Sequence, residues 1–302
     1  MSAGSIKPSG LPHAIGVYLM WGLIPLYFHL LREVPPAEMV GWRVIFTIPV
    51  ALLLVTVLRQ FGAVRQAVTT PRTLGALTVS AMLIGANWLI YVIAISTDHV
   101  FAASLGYYIN PLMNVLAGTL FLHERLSRRQ WMAVALAAVG VAVLAWGALN
   151  MLWISMGLAL TFCAYGLVRK LAPVESLPGL AVETLVLIVP AIALVSWQAA
   201  QPGGVALGHS ITRDALLASA GVVTGVPLLL FATAARRMSY SALGFVQFLA
   251  PTLVFLLGLF VFHEPLRPVQ LASFVLIWCA IAVFCWDLLN RRKPAPEPEP
   301  VT

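Results

Sequence analysis

The pentapeptide LHERL at residues 122–126 returns as FHEPL at residues 262–266, 140 positions later. The same offset aligns five further pairs: Gly85 with Gly225, Pro111 with Pro251, Gly118 with Gly258, Gln130 with Gln270, and Trp146 with Trp286. The chain is 61% hydrophobic, so agreement of such uncommon residues at one offset indicates an internal repeat. The first helices agree less well, because Trp21-Gly22 matches Tyr165-Gly166 only at a shift of 144.

The composition around these motifs is that of a membrane protein. Only 10% of the 302 residues are charged, which is too little polar surface to solvate a globular exterior of this size. Apolar runs near twenty residues recur, the length that crosses a hydrocarbon core of ~30 Å. The short alternating segments of an outer-membrane barrel are absent. We predict an all-α fold with ten membrane-spanning helices, at residues 12–31, 37–58, 73–96, 99–122, 129–148, 151–169, 179–198, 214–235, 240–262 and 268–289.

Lysines and arginines are distributed unevenly between the two sides of these spans. Of the 18, three lie on one side (Arg32, Arg213 and Arg267), Arg43 lies within a span, and the rest share the side of the N-terminal tail. The positive-inside rule then places both termini in the cytoplasm, in a bacterial inner membrane. The net charge of +7 therefore indicates topology, and no nucleic-acid partner is expected.

An odd number of helices in each unit inverts the second copy relative to the first. We predict a first five-helix repeat at residues 1–148, an inverted repeat at 149–290, and a disordered cytoplasmic tail at 291–302. Inverted repeats provide two related packings that open a central site to one side and then to the other. This favours a carrier over a channel. We expect a monomer in the lipid bilayer, with an oligomer left open.

Other chemistries lack their sequence signatures. The cysteines Cys163, Cys279 and Cys285 lie in apolar runs without CxxC spacing, so neither a disulfide nor a metal site is predicted. There is no Walker-A phosphate loop, and neither His-Glu pair becomes HExxH. We expect no catalytic residue and no cofactor. A membrane-embedded enzyme stays as an alternative from another class.

Polar residues of the fourth span are the first candidates for substrate binding. Tyr107, Asn110 and Asn114 follow one another at three- and four-residue spacing and so share a helix face. Polar side chains in lipid should face protein or a cavity. Pro111 and its counterpart Pro251 predict helix breaks at the same level. The alternative is that these side chains only bond neighbouring helices.

Aromatic and amide side chains of other spans extend the predicted cavity wall. They are Asn87, Trp88 and Tyr91 on the third span, Trp21 and Tyr165 on the first and sixth, and Gln247, the repeat counterpart of Tyr107. Aromatic rings could stack on a substrate, while the amides could bond its amino or carboxylate groups. The alternative for the rings is an interfacial belt.

Arg43 and Glu183 are charged residues at repeat-related positions inside spans. An unpaired arginine at a helix centre costs ~3 kcal/mol or more. Inversion puts each of the two about seven residues, ~10 Å, from opposite membrane surfaces, so we expect no direct contact. Snorkelling, local hydrogen bonding and proton coupling remain open as their roles.

The stretch SLGYYINPLMN at residues 104–114, together with LHERL and FHEPL, resembles the EamA type of the drug/metabolite transporter superfamily. The segments IGANW at 84–88, YGLVRK at 165–170 and VPL at 226–228 are similar to its RarD branch. This resemblance extends over residues 11 to 290. It implies a ten-helix fold and export of small metabolites, foremost aromatic or other neutral amino acids. The alternatives are a drug or toxic-compound exporter and a channel-like permease.

Overall fold

A computed structural model describes residues 10–146, 151–263 and 265–290, and this part of the chain forms twelve helices. They are α1 (Leu11–Leu30), α2 (Pro36–Val57), α3 (Phe61–Thr69), α4 (Pro71–Ser96), α5 (Val100–Phe121), α6 (Arg128–Ala145), α7 (Leu152–Leu171), α8 (Ser176–Ala199), α9 (Ile211–Arg237), α10 (Tyr240–Gln247), α11 (Leu249–Phe260) and α12 (Pro268–Asn290). The predicted boundary between the repeats at 148, Glu264 of the second His-Glu pair and the predicted tail at 291–302 lie outside the described residues.

Within the described residues, ten spans are long and apolar enough to cross a membrane. They are α1, α2, α4 to α9, α10 together with α11, and α12. The predicted number of spans and the all-α class are confirmed. The predicted bounds shift by a few residues. The largest extension is in the eighth span, which runs from Ile211 to Arg237.

The short helix α3 was not predicted. Its Ala67 is buried with Val182 of α8, and Val64 packs beside Leu177 of the same helix, whereas Phe61 and Val68 are exposed. At nine residues α3 is too short to span a bilayer. A search for long apolar runs therefore passes over it.

The ninth span is broken into α10 and α11. The Phe248 N–H bonds the Phe245 carbonyl at 3.3 Å, a tighter turn than the α-helix makes. Pro251 has no N–H, so it cannot bond the Gln247 carbonyl four residues earlier, and the helix is interrupted there. The fourth span behaves differently, because α5 runs without interruption through Pro111. The structure thus has a break beside Pro251 and none at Pro111.

Three helices of the first half pack against the helix at the corresponding position of the second half. The pairs are α2 with α8, α6 with α12, and α5 with α10. The first helices of the two halves also make matching contacts. Helix α1 packs on α9 and α11 of the second half, and its counterpart α7 packs on α4 and α5 of the first half. His123 and His263 share a left-handed backbone, with φ of 54° and 52°. This is the pattern expected of two related halves.

Candidate functional site

Arg43 of α2 lies among side chains from three other helices. Its Nε donates a hydrogen bond to the Thr224 hydroxyl of α9 at 2.9 Å. The guanidinium carbon lies 5.0 Å from the ring centre of Trp88 on α4 and 5.5 Å from that of Phe28 on α1. These distances are within the range of cation–π attraction. Arg43 is therefore held in place by one hydroxyl and two ring faces.

Three tyrosines stand within electrostatic range of this guanidinium, namely Tyr27, Tyr91 and Tyr107. The rings of Tyr91 and Tyr107 are 6.4 Å apart. Tyr107 is 46% exposed. We call Arg43 and its neighbours Tyr27, Phe28, Trp88, Tyr91, Tyr107 and Thr224 the outer site.

The outer site lies towards one end of the bundle. Arg43, Trp88, Tyr91 and Tyr107 are each within eight residues, ~12 Å, of the helix ends that the charge bias predicts to be external. We name that end outer and the opposite end inner, after the predicted orientation. A small cavity of about 10 Å³, room for one water molecule, connects Trp88 and Thr224 of the outer site to Glu183.

Glu183 belongs to a buried polar cluster closer to the inner end. Its Oε1 lies 3.5 Å from Nε of Arg169, with side-chain exposures of 4% and 1%. The Ser80 hydroxyl donates to the same oxygen, and Arg169 Nη2 donates to the Ser176 carbonyl at 2.9 Å. Arg43 is not a partner of Glu183 among the described residues. Each of the two residues bonds a hydroxyl on corresponding helices instead, Thr224 on α9 and Ser80 on α4.

At the inner end of the bundle, three charged side chains bond backbone groups of the opposite half or of a neighbouring helix. Glu124 accepts hydrogen bonds from the N–H groups of Tyr240 and Ser241 at 2.6 and 2.9 Å, at the start of α10. Lys170 Nζ donates to the carbonyls of Ala235 and Met238 at 2.7 and 2.6 Å. Such charge-assisted bonds at helix ends are stronger than neutral ones.

Arg236 adds a third connection at the inner end, because its Nη1 donates to the Ala172 carbonyl at 2.8 Å. It links the end of α9 to the loop after α7. We call Glu124, Lys170 and Arg236, with their backbone partners, the inner contacts. The outer end is also bonded between the halves, because the Tyr27 hydroxyl donates to the Leu216 carbonyl at 2.6 Å and Glu38 accepts from the Ala206 N–H at 2.7 Å.

The predicted amide residues connect helices in this conformation. Asn114 Nδ2 donates to Gln247 Oε1 at 2.6 Å, and Asn110 Nδ2 donates to the Ala159 carbonyl at 3.3 Å. Asn87 Nδ2 donates to the Leu158 carbonyl at 2.8 Å. These contacts match the alternative role given for the polar side chains, which is to bond neighbouring helices. The Oδ1 atoms of Asn110 and Asn114 are buried without a protein partner and so keep acceptor capacity.

Trp21 and Tyr165 enter one aromatic cluster at the centre of the bundle. The Trp21 ring packs edge-on against Phe162 at 5.4 Å, and Tyr165 stacks on Phe231 at 5.8 Å. Tyr165 is only 1% exposed and therefore has no free face here. The structure thus brings Trp88, Tyr91 and Tyr107 together at the outer site, and it places Trp21 and Tyr165 elsewhere.

Several residues of these sites were not predicted from the sequence. Tyr27, Phe28 and Thr224 carry no motif, and their convergence on Arg43 depends on helix packing. Arg169 and Lys170 were counted only as topology signals, although two adjacent cations at a helix end could have indicated a specific role. Among the described residues, no three His, Cys, Asp or Glu side chains are placed to hold a metal ion.

Comparison with known proteins gives consistent matches. A model of the EamA-like transporter family matches residues 8–146. Protein RarD of Streptomyces exfoliatus is 40% identical and aligns over 97% of this chain and 93% of its own. Protein RarD of Escherichia coli is also 40% identical, over 94% of this chain and 96% of its own. The chloramphenicol-sensitive protein RarD of Pseudomonas aeruginosa is 28% identical, over 93% and 95% of the two chains.

A solved crystal structure superposes on the same helices. It covers 95% of this chain and 100% of its own, with a TM-score of 0.73 at 19% identity. At that identity the match reports a shared fold and carries no information on substrate.

Proposed function

This chain belongs to the EamA-like transporter family, with RarD relatives about 40% identical over nearly its whole length, and we propose that it is a secondary exporter of small metabolites. The proposed cargo is amino acids, aromatic or otherwise neutral. The proposed direction is out of the cytoplasm across the bacterial inner membrane. The two five-helix halves act as inverted repeats that exchange conformations.

The observation that carries this proposal is the outer site itself, in which a cation and aromatic side chains from four helices are grouped inside the bundle. Phe28 and Trp88 lie against the Arg43 guanidinium, and Tyr107 of the same site is 46% exposed. Alternating access requires such a site to open to one side at a time, whereas a channel would need a continuous path.

The lining of the outer site supports an amino acid as cargo. The ring faces of Trp88, Tyr91 and Tyr107 suit an apolar or aromatic side chain, and Arg43 supplies donors for a polar group. The same lining would suit an aromatic drug, and one relative in Pseudomonas aeruginosa is named chloramphenicol-sensitive. Drug export is therefore the second candidate.

Flux measurements in proteoliposomes test the proposal. We expect uptake of labelled L-phenylalanine or L-threonine to saturate and to be accelerated by unlabelled amino acid on the opposite side. Efflux from vesicles of defined orientation tests the direction. Linear flux without saturation or exchange would contradict a carrier, and exchange of chloramphenicol without either amino acid would favour the drug exporter.

Trp88→Ala and Tyr107→Ala should abolish this flux while leaving expression intact, because each removes a wall of the outer site. Trp146→Ala is the matched control, since that side chain is 80% exposed at a helix end. If both site variants transport normally, the outer site does not bind the cargo.

A further inference from the structure

We propose that Arg43 is the anchor for a carboxylate group of the cargo, so that the protein selects organic carboxylates and does not require their amino group. This inference rests on the proposed transport function and deepens it by assigning the polar contact that determines specificity. Arg43 thereby becomes a binding residue of the outer site.

The first argument is the unused hydrogen-bonding capacity of Arg43. Its one hydrogen bond to protein within the described residues uses Nε, which donates to Thr224 at 2.9 Å. Both terminal nitrogens, with four N–H groups, have no acceptor in that part of the chain. Arg43 is half-buried, and neither terminal nitrogen is among the fully buried side-chain atoms that lack a partner. The fork of the guanidinium is therefore free to bind a planar anion.

The second argument is the lack of a protein anion. The ion pairs among the described residues join Arg169 to Glu183 and Arg213 to Glu33, and neither includes Arg43. Glu38, on the same helix as Arg43, already accepts from the Trp42 indole at 2.8 Å and the Ala206 N–H at 2.7 Å. A cation at this depth is costly when unpaired. An incoming carboxylate would supply the missing counter-charge.

The third argument is geometry. Trp88 and Phe28 cover the guanidinium at 5.0 and 5.5 Å, and the bond to Thr224 fixes its direction. An arginine held in this way loses little further freedom when it binds a carboxylate through two parallel hydrogen bonds. Tyr91 and Tyr107, whose ring centres are 6.4 Å apart, are also within electrostatic range of this guanidinium and could contact the rest of the molecule.

The same inventory explains why the amino group should be dispensable. Within the described residues, the outer site contains a guanidinium, hydroxyls and rings and no carboxylate. Glu183, at the far side of the small cavity, is already bonded to Arg169 and Ser80. Glu38 keeps one oxygen without a partner, but it is fully buried and outside the outer site, so that site offers an ammonium no accessible carboxylate.

Competition on the purified full-length chain tests the inference. Labelled L-phenylalanine is the probe, and 3-phenylpropanoate and L-phenylalaninamide are the competitors. We expect 3-phenylpropanoate to compete within about tenfold of L-phenylalanine. The amide, which lacks the anion, should bind about 10- to 100-fold more weakly. Equal competition by the amide would overturn the inference and leave the transport function standing.

Variants provide the second arm. Arg43→Gln should weaken L-phenylalanine binding about 10- to 100-fold, and Arg43→Lys, which keeps the charge without the fork, by an intermediate factor. Arg213→Gln, another arginine of the outer end, is the control and should bind normally. Unchanged binding by folded Arg43→Gln overturns the inference. If that variant does not fold, the binding affinity of Arg43→Lys and the competitor series on the unaltered chain determine whether Arg43 binds the carboxylate. Absence of both binding and flux for L-phenylalanine and L-threonine contradicts the proposed function itself.

Discussion

At the scale of single residues, buried charges are placed by their partners and not by their positions in the spans. Arg43 and Glu183 occupy repeat-related positions, and in the described residues each has a different partner, Thr224 and Arg169. Glu183 instead bonds Arg169 of the preceding helix, which reaches it at 3.5 Å because α7 and α8 are joined by a short loop. A charge count along the sequence could not assign that partner.

The Arg169 and Glu183 pair should stabilise the fold only as a pair. Glu183→Gln leaves the Arg169 guanidinium buried without its counter-charge, and we expect a loss of about 3–5 kcal/mol in the free energy of unfolding. Thermal unfolding in detergent is the measurement. A double variant, Arg169→Met with Glu183→Leu, should recover most of that loss, because no lone charge remains. Additive losses in the double variant would show that the two side chains are not coupled.

The amide residues show where sequence analysis of a site stops. Placing Asn110 and Asn114 on one face of a helix required only the helical period. Finding that Asn114 bonds Gln247, 133 residues away, required the packing of α5 on α10. Likewise the outer site combines Phe28, Trp88 and Thr224 from three helices. The residue types of the site were predictable, and their grouping depends on tertiary contacts.

At the scale of helices, length and apolarity were sufficient to predict all ten spans, because a bilayer demands both. The two departures have local causes. Helix α3 is too short to resemble a span. The interruption near Pro251 has no equivalent at Pro111, although both prolines remove one N–H, so proline alone does not determine where a membrane helix breaks.

Close approach of α2 and α9 depends on Gly221. A Cβ at this position would overlap the Phe46 carbonyl oxygen, a backbone atom that cannot move aside alone. Gly221→Ala should therefore separate the helices that carry Arg43 and Thr224, with a loss of about 1–3 kcal/mol in stability and weaker substrate binding. Gly75→Ala in α4 is the control, since nothing lies within 4 Å of that position. Equal stability of the two variants would show that α2 and α9 do not need this contact.

At the scale of the whole molecule, the repeat and the charge bias predicted two inverted halves before any contact was known. The contacts between counterpart helices fit that scheme, as do the left-handed residues His123 and His263. The bonds that join the halves at each end could not be predicted, because they depend on packing. At the inner end Glu124 of the first half caps α10 of the second.

Removing the Glu124 cap should shift the molecule towards opening at its inner end. Glu124→Ala takes the acceptor away from the N–H groups of Tyr240 and Ser241, a loss of about 1–3 kcal/mol for the conformation that contains these bonds. Cys163 of α7 is buried in this conformation, so a membrane-impermeant maleimide added at the inner side should label it faster in this variant, with Cys279 and Cys285 replaced by alanine. Glu175→Gln, an exposed inner carboxylate, should leave labelling unchanged. If Glu124→Ala labels at the control rate, Glu124 caps α10 without controlling access.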